Sequence, residues 1–109
     1  MEISALRDLV LNEFSASEHD HFGKPAYRAA PKKSGGKPGK IFMTLWIEEG
    51  HAVLMLTKDQ QIDLIDAHPG AFEPHPSKWG EKGATIMHVR RLDRNVVQQA
   101  ITIAHGNSH

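Results

Sequence analysis

The stretch F-E-P-H-P-S-K-W-G-E-K-G-A-T, residues 72–85, decides how this chain reads. It lies between a helical pattern and an alternating one, and it gathers residues with strong backbone consequences. Pro74 and Pro76 fix φ and remove backbone donors. Gly80 and Gly83 permit shapes and approaches that other residues resist. Trp79 is one of two tryptophans in the chain. Such a segment is a structured connection, and the elements on either side of it follow.

Downstream, residues 84–90 alternate, with Thr85, Met87 and Val89 on one face and Ala84, Ile86, His88 and Arg90 on the other. Asp93 then caps a last helix whose stripe is Val96, Val97, Ala100, Ile101 and Ala104. Gly106 ends it, and residues 107–109 are expected to fray. Upstream, Thr57 followed by Gln60 spells a capping box, with Asp59 in the first turn. Ile62 and Ile65 form the apolar side of that short helix, which Pro69-Gly70 stops.

Before that helix lie two strands, 41–47 and 52–56, joined by Glu48-Glu49-Gly50. In the first, Phe42, Thr44 and Trp46 point one way and Ile41, Met43, Leu45 and Ile47 the other. Both faces are largely apolar, which predicts a central or helix-covered strand. Residues 2–14 carry Ile3, Leu6, Val10 and Phe14 at helical spacing, with Leu9 widening the stripe. Residues 15–24 read as a polar loop, and Ala26–Ala30 as a short strand centred on Tyr27. The run P-K-K-S-G-G-K-P-G at 31–39 reads as a solvated loop. The order predicts an α+β fold: one domain over 1–109, its antiparallel sheet packed against N- and C-terminal helices, with a short helix inserted between strands.

The 109 residues suffice to bury roughly two-thirds of the unfolded chain's surface. There are no cysteines, which excludes disulfides and thiolate chemistry and suits a reducing compartment. The first residues are too polar for a signal peptide, and no apolar run reaches membrane-spanning length. A cytoplasmic, bacterial protein is the expectation. Net charge is zero but uneven: residues 22–46 hold six bases and no acid.

The succession G-K-I-F-M-T-L at 39–45, A-V-L-M-L at 52–56 and H-P-G-A-F-E-P-H-P-S-K-W-G-E-K-G-A-T at 68–85 resembles the MmcQ/YjbR-like proteins over about residues 22–104. The pattern Phe72, Pro74, Trp79, Gly80, Gly83, Thr85 is the part that carries it. The resemblance implies a compact α+β sheet domain similar in architecture to the frataxin/CyaY fold. Members are mostly uncharacterised. Some have been proposed to bind DNA, and the family name reflects an occurrence near antibiotic-resistance genes. Here residues 32–38 look inserted between the first two strands of the family pattern.

Two functional readings follow. In the first, Lys32, Lys33, Lys37 and Lys40 join Lys78, Lys82, Arg90, Arg91 and Arg94 in a cationic strip that neutralises DNA phosphates without reading sequence. Against it, lysines in a glycine-rich loop need no ligand, and no row of aromatics offers a stacking platform. In the second, Tyr27, His75, Trp79 and His88 line a pocket that binds or sequesters a small molecule. A lone Trp before a glycine more often anchors its loop to the core than stacks on a ligand. A protein-interaction module, monomeric or weakly dimeric, is a third reading.

Eight histidines are present, at 19, 21, 51, 68, 75, 88, 105 and 109. Only His19-Asp20-His21 is a tight cluster, and two imidazoles in a polar loop make no metal site. Glu2, Asp8 and Glu13 are too dispersed for an iron site suggested by architecture alone. No cofactor fingerprint occurs. For catalysis, Ser77 lacks an elbow motif, and the most that residue types allow is an acid/base set of Glu73, His75 and His88.

Overall fold

The computed structural model describes residues 1–108. Six strands form one sheet in the order β1-β2-β3-β4-β6-β5, every neighbouring pair antiparallel. In chain order the elements are α1 (Ile3–Glu13), β1 (Ser17–His21), β2 (Lys24–Arg28), β3 (Ile41–Trp46), β4 (His51–Met55), α2 (Lys58–Ala67), β5 (Phe72–Pro74), α3 (Lys78–Glu81), β6 (Ala84–Met87) and α4 (Arg94–Gly106). A 3-10 turn, Val89–Arg91, joins β6 to α4. The fold is α+β, as the element order predicts.

One face of the sheet carries the main core. Leu6, Leu9 and Val10 of α1 and Val97, Ala100, Ile101 and Ala104 of α4 pack there with Tyr27, Met43, Leu45, Leu54 and Met87. The two terminal stripes therefore behave as their spacing predicts. The other face carries a separate small cluster, Val53, Ala84 and Ile86, with Trp46 and Met55 against it. No long helix contributes to that cluster, so the sheet has one helix-covered face and one largely free of helices.

Local signals held where they are self-contained. Thr57 and Gln60 form the reciprocal capping box, at 3.2 and 2.9 Å. The Asp93 side chain accepts from Val96 N at 3.0 Å. Gly50 closes the β3–β4 turn at φ +77°, a conformation suited to glycine.

Other expectations are corrected. Residues 17–21 are an edge strand, not a loop; their polar composition suits an edge exposed to water. Phe22 and Gly23, at φ +53° and +83°, turn the chain back into β2. In β3, pairing jumps from Met43 opposite Tyr27 to Ile41 opposite Arg28. The extra residue, Phe42, turns into the main core, while Ile41 joins Thr44 and Trp46 on the opposite face. In α2 the buried residues are Gln61 and Leu64; Ile62 is 45% exposed. Residues 107–108 are tied down: Ser108 is buried, its carbonyl accepts from Lys40 N at 2.7 Å, and its hydroxyl accepts from Ala29 N at 3.2 Å. His109 lies outside the described residues.

Candidate functional site

The F-x-P…W-G-x-x-G-x-T segment forms β5, the single turn α3 and the start of β6. Its glycines allow two close backbone approaches. A Cβ on Gly80 would stand 2.8 Å from the carbonyl carbon of His75 and 2.9 Å from its nitrogen, and closer still to its oxygen. A Cβ on Gly83 would stand 2.8 Å from the carbonyl carbon of Leu56, at a φ of +121°. The Thr85 hydroxyl donates to Gly83 O at 2.8 Å. The Gln61 side chain, fully buried, reaches across from α2 and donates to Gly80 O, Ala84 O and Thr85 Oγ1 at 3.0–3.1 Å. With its backbone fixed this way, the connection presents Trp79 outward.

Trp79 is 59% exposed, so it does not anchor its loop in the core. It borders a cavity of about 580 Å3 on the face of the sheet away from the main core. Val53, Met55 and Ala84 come from the strands; Trp46, His75 and Trp79 add aromatic surface. The β1–β2 turn contributes His21, Phe22 and Lys24, and Lys82 follows α3. Phe22, 90% exposed, is the most exposed large apolar side chain among the described residues. Both tryptophans of the chain therefore line this cavity.

Trp46 is the centre of a set of ring contacts. Its ring stacks on His51 at 5.7 Å between centroids and meets His75 at 5.7 Å. Lys24 Nζ lies 4.2 Å from the Trp46 ring centroid, a cation–π contact. Trp46 Nε1 donates to Thr44 Oγ1 at 3.0 Å. Beyond it, His51 meets His88 edge-on at 5.9 Å, and His88 Nε2 bonds Glu73 Oε2 at 2.7 Å. Burial, then the neighbouring His88, holds the His51 imidazole below its ordinary value.

The predicted pocket residues thus divide. His75 and Trp79 line the cavity. Tyr27 does not: it is buried in the main core, and its hydroxyl donates to Glu18 Oε2 at 2.6 Å. That carboxylate also accepts from Arg7 at 2.7 Å, which, ahead of Tyr27, holds it below the usual carboxylate range. Burial, then Glu18, pushes the Tyr27 hydroxyl up. His88 shares the open face but pairs with Glu73 instead of lining the cavity. Of the acid/base set, only Glu73 and His88 meet; His75 bonds Ser77.

The cationic strip divides as well. The antiparallel order brings the β2–β3 loop, with Lys32, Lys33, Lys37 and Lys40, to the same end of the sheet as the β5–β6 connection with Lys78 and Lys82. Arg90 and Arg91 follow β6 and emerge at the opposite end. There Arg90 lies 3.8 Å from Glu2, and Arg91 donates to Gly70 O at 2.6 Å. Arg94 pairs with Glu13. Lys32, Lys33 and Lys37 are exposed and form no ion pair among the described residues.

No group of three or more His, Asp or Glu side chains among the described residues could hold a metal ion. No helix among them is long and apolar enough to cross a membrane.

Sequence reasoning missed Trp46, Lys24, Phe22, Val53 and Met55. The usable signal was a count of covering elements: two long amphipathic stripes cover one face, while β3 and β4 are apolar on both. No protein-family model matches the chain, and no curated protein or solved structure matches it.

Proposed function

We propose that this chain is a cytoplasmic small-molecule-binding domain of the MmcQ/YjbR-like kind, with its site in the cavity on the face of the sheet away from α1 and α4. One observation carries the reading: the cavity of about 580 Å3 has an apolar strand floor and holds both tryptophans. That volume lies in the range of ligand sites, and apolar walls with a few polar groups are their usual lining. Trp79 and Phe22 expose large apolar area beside the cavity, as a ligand-facing wall requires.

The site has a built-in reporter, because Trp46 and Trp79 are the only tryptophans. Titration with naphthalene-ring probes, neutral or charged, is expected to change tryptophan emission with a Kd of roughly 100 micromolar or tighter. Trp79→Ala should weaken binding about tenfold through lost ring contact. Its melting temperature should stay close to that of the parent, since the side chain is mostly exposed. Unchanged emission at millimolar probe, or unaltered affinity in Trp79→Ala, would count against the site.

A second reading, contact with nucleic-acid phosphates, is favoured by the exposed lysines of the β2–β3 loop at the end of the sheet shared with Lys78 and Lys82. It is the weaker reading, because Arg90 and Arg91 do not extend that patch.

A further inference from the structure

We infer that the cavity selects a flat aromatic acid, its carboxylate held by one of the two lysines that line it, Lys24 at the β1–β2 end or Lys82 at the β5–β6 end; this deepens the small-molecule reading and rests on it. The charged lining residues are both lysines, and no Asp or Glu lines the cavity. Neither lysine has a carboxylate partner among the described residues. An unpaired cation beside apolar walls attracts an anion more strongly than the same cation in open water, because the low-dielectric wall reduces screening.

One neutral polar group agrees in sign. The backbone N–H of Ser77 donates to His75 Nδ1 at 3.2 Å, so that nitrogen is an acceptor. In the neutral imidazole the proton then sits on Nε2, which offers a donor. Thr44 Oγ1 accepts from Trp46 Nε1 at 3.0 Å. A ligand entering this cavity therefore meets two ammonium groups and no carboxylate, which favours an anion over a cation of the same shape.

Ring chemistry sets the remainder of the ligand. Lys24 Nζ stands over the Trp46 ring, and the Trp79 ring borders the same space. Trp46 already holds His51 and Lys24 against its ring, so a flat ligand ring stacks on the exposed Trp79 indole, while an acid group on its edge reaches a lysine. An aliphatic acid would lose the stacking, and a neutral arene would lose the charge.

Three probes of one shape test this: 1-naphthoate, 1-naphthamide and 1-naphthylmethylammonium, each titrated against tryptophan emission. The acid is expected to bind about tenfold more tightly than the amide, with the ammonium weakest. Added salt should weaken the acid alone. Lys24→Gln combined with Lys82→Gln should bring the acid-to-amide ratio towards one. Equal affinity of amide and acid would overturn the inference and leave the pocket standing. Binding of none of the three would remove the pocket reading and the inference with it.

Discussion

Gly80→Ala is expected to lower the stability of this domain by about 3 kcal/mol or more, a fall in melting temperature of more than about 10 °C. The added methyl would press into the backbone of His75, which has no flexible end to move aside. His75 N is also bonded to Ala84 O at 2.9 Å, so a shift of that strand end would strain its pairing with β6. For a domain of this size, such a loss is a large part of the total. Gly70→Ala is the matched control. Its φ is +82° but nothing stands within 4 Å of an added Cβ, so it should cost only the left-handed penalty of about 1–2 kcal/mol. Thermal melts of both variants check the difference. Near-parental melting of Gly80→Ala would mean that residues 75–83 do not pack as described.

Gln61→Leu is expected to cost a similar amount, about 3 kcal/mol, despite filling the same space with an apolar side chain. The amide nitrogen serves three acceptors, and its oxygen accepts from Lys58 Nζ at 2.8 Å. Removing it takes one hydrogen bond from each of the buried oxygens of Gly80, Ala84 and Thr85, which keep Gly83 N, His75 N and Gly83 O as their other partners, at about 1 kcal/mol apiece. The double variant Gln61→Leu with Thr85→Val should lose less than the two single variants together, because each deletes the other's partner. Chemical denaturation of all four proteins measures that coupling. Additive losses would show that Gln61 acts by packing alone.

These two residues show where the sequence was legible. The capping box at Thr57, the cap at Asp93 and the stripes of α1 and α4 are local signals, read from spacing without knowledge of the tertiary structure. The direction of α2 was not local. Gln61 faces inward because three oxygens of a distant connection await it, and periodicity then misassigns Ile62 to the core. Similarly, Gly80 and Gly83 are conspicuous in sequence, but their purpose depends on the backbone of residues 56 and 75 passing close by.

The site was legible only in part. His75 and Trp79 could be singled out by type and position. Tyr27 was assigned to the wrong face, because a lone aromatic in a five-residue strand does not disclose its side. Phe42 crossed faces through a bulge that leaves no mark in the apolar run of β3. Phe22 and Lys24 were hidden because β1 carries no alternation to announce the hairpin that bears them. What the sequence did contain was an excess of apolar strand face over helical cover, and that excess is the floor of the cavity.

The central claim is that the face of the sheet away from α1 and α4, bounded by Trp46 and Trp79, is where this protein binds its ligand. The most direct test is a 1H–15N correlation spectrum of the uniformly labelled protein, recorded with and without saturating 1-naphthoate. The account predicts that both indole N–H signals move, together with amides of β3, β4 and residues 75–84, while those of α1, α4 and residues 31–38 stay in place. An unchanged spectrum, or shifts confined to the lysine loop at 31–38, would contradict it.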